Sequence, residues 1–132
     1  MYLDQFKIKD QLCEFEIELN KKYIYEYYNS CGINSHKFEY IFPTELATLS
    51  LKYFLEKFPI PNGSIHTSQE IEINNLIEIG SKLICNVFLD SFKEIRGRGI
   101  IIVKTNYIRS EKILGSANAT LLVPSWLMKK QN

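Results

Sequence analysis

With 132 residues, 45% of them apolar and 23% charged, the chain has the size and composition of one ordinary globular domain. Its 16 Lys+Arg against 15 Asp+Glu leave a net charge of +1, too little field to hold nucleic acid or an anionic membrane surface. The three cysteines, Cys13, Cys31 and Cys85, are odd in number, far apart and without a Cys-x-x-Cys pair, a usage that excludes a disulfide framework and a zinc knuckle.

The first ten residues mix acidic, amide and basic side chains with apolar ones. They lack the apolar core of an export signal, so the cytoplasm is the expected location. From Cys13 to Leu19 every odd position is apolar (Cys13, Phe15, Ile17, Leu19) and every even one is Glu, the period of a strand with one wet face. Asn20 then offers an N-cap to a short helix over Lys21 to Cys31, with Gly32 at the position after its end. Ile24, Tyr27 or Tyr28, and Cys31 form its apolar stripe. The tyrosines at 23, 25, 27 and 28 are expected to pack flat with their hydroxyls reaching water, because no basic groove accompanies them as a base-stacking surface would need. Pro43, Thr44 and Glu45 signal a second helix running to about Phe58, where Pro59 and Pro61 forbid continuation. Leu46, Ala47, Leu49, Leu51, Tyr53, Phe54, Leu55 and Phe58 cover most of its circumference, which predicts a helix enclosed by the rest of the protein or by a partner.

The second half of the chain reads as strands. Ile65 to Ile73 alternates, with Ile65, Thr67, Ile71 and Ile73 on one face and His66, Ser68, Glu70 and Glu72 on the other. Leu83 to Phe92 follows, Gly97, Arg98 and Gly99 reverse the chain, and Gly99 to Ile108, a turn at 109–112 and Ile113 to Val123 complete a meander. The uncharged apolar runs, such as Gly99 to Val103, are far too short to cross a bilayer. Cys31 and Cys85 fall on apolar faces and are expected as buried small hydrophobes, and Trp126 as a plug at a sheet edge or subunit contact. One early strand, a helical layer with one enclosed helix and four long antiparallel strands make an α+β chain with the element order of a hot-dog fold, as a single domain over 1–132. Such a sheet buries only one face by itself, and hot-dog domains commonly pair edge to edge, so a dimer is expected.

The wording of the sequence carries a resemblance as well. Leu19 to Tyr25, Cys31-Gly32 and Phe42 to Ala47, then Ile65 to Ile73, Ile79 to Leu83 and Ala119 to Val123, resemble MaoC-like acyl-thioester hydratases and dehydratases, and within them the N-terminal MaoC-type dehydratase branch. The resemblance spans almost the whole chain. It implies a protein of acyl-thioester (fatty acid) metabolism whose ligand is an acyl group on coenzyme A or acyl carrier protein, with no cofactor. It also implies a hydration chemistry in which a carboxylate and an imidazole flank one water. Active members carry these groups in a loop reading Gly-Asp-x-Asn-Pro-x-His. The matching residues here are Gly32 to Phe38, where Ile33 replaces the aspartate and Phe38 the histidine. A two-residue shortening brings Asn34, Ser35 and His36 onto the Asn-Pro-x-His segment, but no shift supplies an aspartate. Glu39 and Glu45 are the acids nearby.

Of the candidates, His36 is the one imidazole in the expected loop, and Glu45, in the first turn of the second helix, is the acid suited to activating water against a thioester. Asn34, His36, His66 and Arg98 are the candidate substrate-binding residues. His66 is expected to orient a loop or line the path of the pantetheine arm, or else to be an edge-strand surface residue. Arg96 and Arg98 are candidates for the phosphates of coenzyme A or an acidic carrier protein, with a solvated hairpin tip as the plainer reading. His66, Glu70 and Glu72 suggest no metal, since residues four and six apart on a strand span roughly 13 to 20 Å. The leading expectation is a non-catalytic subunit or acyl-thioester binder, paired with its own copy or with a second hot-dog chain. The alternatives are a thioesterase using Glu45 and a purely structural dimerisation module.

Overall fold

The computed structural model describes residues 6–33 and 38–124, and Trp126 lies outside them. The alternating N-terminal segment is β1 (Gln11–Glu18), followed by α1 (Lys21–Ser30), α2 (Pro43–Lys57), β2 (Ile65–Ile73), β3 (Lys82–Ile95), β4 (Arg98–Arg109) and β5 (Lys112–Pro124). The strands form one five-stranded sheet in the order β1-β3-β4-β5-β2, with every neighbouring pair antiparallel. This is the hot-dog arrangement that the element order predicts.

The meander is held by two hairpins whose two-residue turns take positive φ at both positions, Arg96 (51°) with Gly97 (75°) and Ser110 (51°) with Glu111 (63°). Paired left-handed residues give a turn whose twist matches that of the flanking strands. Alternate residues then face inward. Leu83, Cys85, Val87 and Leu89 of β3, Ile101, Val103 and Tyr107 of β4, and Ala117, Ala119, Leu121 and Val123 of β5 are all buried. They form one core with Phe15, Ile17 and Leu19 and with the inner face of α2.

Helix α2 lies across this inner surface. Leu46, Ala47, Leu49, Ser50 and Phe54 are buried, while Thr44, Thr48, Lys52 and Glu56 are exposed and Leu51 and Leu55 half-buried. The sheet of one chain thus wraps the inner side of the helix and leaves a polar strip open. In the middle of the helix the buried Ser50 hydroxyl donates to the Ala47 carbonyl (3.1 Å) and lies 2.7 Å from the Tyr107 hydroxyl of β4, a polar tie within an apolar layer.

Helix α1 starts and stops where its sequence directs. Asn20 Oδ1 accepts the Tyr23 N–H at 3.2 Å. At the other end Gly32 takes φ 77°, its N–H bonds the Asn29 carbonyl (3.0 Å) and the Ile33 N–H bonds the Tyr28 carbonyl (2.9 Å), a double closure that glycine permits. Two expectations need correction here. Cys31 is the exposed C-cap residue and not a buried hydrophobe, because the chain leaves the helix at this point and carries the side chain off the inner stripe. Tyr28 does not send its hydroxyl to water: its side chain is fully buried.

The edge strand β2 brings a further correction. Its register slips between His66 and Ser68, so His66 pairs with the buried Leu121 while Ser68, Glu70 and Glu72 pair with Thr120, Asn118 and Ser116 on the outer face. The one-residue bulge reverses the alternation. His66 therefore shares the inner, helix-facing side with Gln69, Ile71 and Ile73, and parts from the acids with which strict alternation would group it.

Candidate functional site

The N-terminus of α2 is fixed by a short chain of hydrogen bonds. The Tyr25 hydroxyl donates to the Phe38 carbonyl (3.3 Å). The Ile79 N–H reaches the Glu39 carbonyl (2.8 Å), and the Ile41 N–H reaches the Ile77 carbonyl (2.9 Å). The Phe42 N–H then donates to the buried Tyr28 hydroxyl at 2.8 Å. Phe42 is the N-cap residue, without a side-chain cap of its own, and Pro43 takes the first helical position, where a missing N–H costs nothing. Rings at 4.6 Å (Tyr28 and Phe42), 4.9 Å (Phe38 and Phe42) and 5.9 Å (Tyr28 and Phe38) close an aromatic collar at the helix end.

Beside this collar sits Glu45, in the first turn of α2 and only 4% exposed. Neither carboxyl oxygen has a hydrogen-bond partner among the described residues. Burial pushes its pKa up to about 6, and the nearby Tyr28 hydroxyl offsets this only in part. The hydroxyl is close enough to act on the charge without making a well-formed bond to it. A helix N-terminus ordinarily favours a carboxylate, yet here desolvation wins. A buried acid with unused oxygens and a titration point near neutrality is equipped to take a proton from water or to accept a donor from a ligand.

On the open side of α2, Thr44, Thr48 and Leu51 face His66, Gln69 and Ile71 of β2 across a groove of about 270 Å³. The bulge in β2 turns His66 toward this groove. Gln69 is braced by its own Nε2, which donates to the Asn118 carbonyl at 3.2 Å. Behind the groove, and sharing Leu51 and Gln69 with it, lies a crevice of only about 10 Å³ against Ala47, Ser50, Val103, Thr105, Ala117 and Ala119. Small side chains line it, and the helix closes over it.

The remaining candidates are distributed differently. Asn34 and His36 lie outside the described residues. Glu39 is exposed and borders a separate polar groove with Lys21, Tyr25, Glu78 and Ile79, so it does not join Glu45. Arg98 pairs with Pro124 beyond the two-residue turn and is exposed, far along the sheet from the start of α2. Ile33, which stands at the aspartate position of the resembled loop, is half-buried and packs against the core. Tyr28 and Gln69 were not among the candidate residues. Their roles come from contacts 14 and 49 residues away in sequence, which no local pattern announces. Cys85 is buried with its thiol pushed up to about 12 by desolvation, and Cys13 is raised for the same first reason, so neither supplies a thiolate nucleophile.

No family model and no curated protein matches the sequence. Solved structures do match in shape. The MaoC-like dehydratase from Rhodospirillum rubrum aligns at a TM-score of 0.71 and 11% identity over 94% of this chain and 97% of that one. The HadBC (3R-hydroxyacyl-ACP dehydratase) complex from Mycobacterium tuberculosis gives 0.69 and 14%, over 89% and 98%. The (R)-hydratase from A. caviae involved in PHA biosynthesis gives 0.65 and 11%, over 90% and 98%. The chain therefore has the hot-dog fold seen in MaoC-like dehydratases and (R)-hydratases.

Proposed function

We propose that this chain handles an acyl group held as a thioester on coenzyme A or acyl carrier protein, and that it does so without the Asp/His pair of active hydratases. It serves either as the non-catalytic half of a dehydratase made with a second hot-dog chain or as a homodimeric acyl-thioester binder. The observation that carries this reading is Ile33. The residue in the aspartate's place is apolar, packs against the core and is tied by its N–H into the end of α1. The position has been absorbed into the fold. The groove between α2 and β2, with His66 and Gln69 turned into it, offers room for the thioester arm. The complex formed by one structural neighbour supports a second hot-dog chain as partner.

Glu45 favours a second reading, a thioesterase in which this carboxylate activates water against the thioester carbonyl. One experiment separates the two: the purified chain is assayed for hydration of crotonyl and longer enoyl thioesters and for release of free thiol from the matching saturated thioesters. The first reading expects binding without turnover in either assay. Thiol release that Glu45→Gln reduces by about 100-fold or more would establish the thioesterase instead. Hydration lost in His36→Ala would return the chain to the active hydratases.

A further inference from the structure

The groove between α2 and β2 has a floor. Leu51 and Gln69 line both the groove and the crevice behind it, and the space drops from about 270 Å³ in front of them to about 10 Å³ behind. The crevice has room for one water-sized group and no more. Its wall is largely carbon, with Ala47, Ala117 and Ala119 among the lining residues, and the Ser50 hydroxyl within it already bonds the Ala47 carbonyl and the Tyr107 hydroxyl. Both floor residues are held in place. Leu51 is half-buried and packs against the core, and Gln69 is tied by its Nε2 to the Asn118 carbonyl at 3.2 Å.

We infer that Leu51, with Gln69 beside it, sets the length of acyl chain that the groove accepts, and that this length is short. The inference rests on the acyl-thioester reading for the identity of the occupant. Thr44, in the first turn of α2, and Leu51 mark the two ends of the helix side of the groove, and the helix rises about 10 Å between them. An extended chain covers that span in roughly eight zigzag bonds of about 1.5 Å, of which the thioester takes two or three, leaving an acyl group of about six carbons or fewer. A longer chain has two ways to go. One is the crevice, which Leu51 and Gln69 close. The other is back into water, where added methylenes gain nothing from burial. Affinity therefore stops rising once the chain end reaches Leu51.

The test is calorimetric binding of butyryl, hexanoyl and decanoyl coenzyme A to the full chain and to Leu51→Ala. In the parent, hexanoyl binds tighter than butyryl, and decanoyl no tighter than hexanoyl. Leu51→Ala joins the crevice to the groove, so each methylene that enters gains about fourfold and decanoyl overtakes hexanoyl by about tenfold or more. Affinity that climbs steadily to decanoyl in the parent, or the same order of affinities in both proteins, would overturn the inference. The floor is also read without any thioester. Xenon under pressure enters dry apolar cavities, so it should shift the Ala117 and Ala119 methyl resonances in Leu51→Ala and leave them unmoved in the parent. Equal xenon shifts in the two proteins refute the floor whatever the ligand. Should the alanine variant not fold, Gln69→Ala, on the edge strand, opens the same mouth and is held to the same outcomes. Binding of no thioester, with the xenon difference present, overturns the acyl-thioester reading and with it the chain length, while the floor at Leu51 stands.

Discussion

Glu45 works against the fold at the pH where the protein is expected to act. Its carboxyl titrates near 6 in the folded chain against 4.5 for an ordinary glutamate, so between those values the unfolded chain loses its proton first. Stability attached to this residue is therefore constant below about pH 4.5, falls as pH rises through 6, and stays at its lower value above, a loss on the order of 2 kcal/mol. Other carboxylates titrate in the same window, so the quantity to measure is the difference between the parent and Glu45→Gln in urea unfolding at pH 4.5 and pH 8. The glutamine variant should improve relative to the parent by on the order of 2 kcal/mol between the two pH values. A difference that does not change with pH would mean that the carboxyl is not desolvated. At this scale the sequence was readable in part: Glu45 stands out as an acid at a helix start beside a loop that resembles a catalytic one. Its burial was not readable, because it depends on residues distant in sequence, Tyr28 among them, packing beside the helix start.

The elements follow from local chemistry wherever capping and turn residues speak for themselves. Asn20 starts α1, Gly32 ends it, Pro43 opens α2, and two tight turns set the meander. Local alternation fails at β2, where the bulge after His66 reverses the facing of that residue. Nothing in the composition of Ile65 to Ile73 marks it, since both faces of an edge strand are partly wet and hydrophobicity alone fixes its register weakly. What holds this strand is its pairing with β5, and Gly115 is the close point. A Cβ there would meet the Glu72 carbonyl at 2.5 Å and the Ile73 side chain at 2.8 Å. Gly115→Ala should cost about 1–3 kcal/mol and loosen the far end of β2. Gly32→Ala, at φ 77° but with open space around it, should cost about 1 kcal/mol at the end of α1 alone. Hydrogen exchange of the β2 amides separates the two: faster exchange in the first variant and not in the second is the expected pattern, and the reverse would refute it.

At the scale of the whole molecule, β2 is an edge strand that pairs, among the described residues, with β5 alone, and a polar strip of α2 lies beside it. Edge strands of this length invite a neighbour, which is the physical basis for pairing with a second copy or a second hot-dog chain. Sedimentation of the chain alone should give about twice its 15.5 kDa mass, with slow exchange of the outward β2 amides. A single-chain mass at high concentration would leave the second hot-dog chain as the one partner to seek. No helix among the described residues is long and apolar enough to cross a membrane.

Periodicity, caps and turns by themselves determined the element order, the wrapped helix, the meander and hence the fold, because each depends on neighbours within a few residues. Tertiary structure alone decided which side of β2 carries His66, that Cys31 is exposed, and that Glu45 is buried at a helix start whose Phe42 N–H bonds the Tyr28 hydroxyl. Those outcomes turn on strand register and on burial, and both are set by contacts between segments that the chain brings together only when it folds.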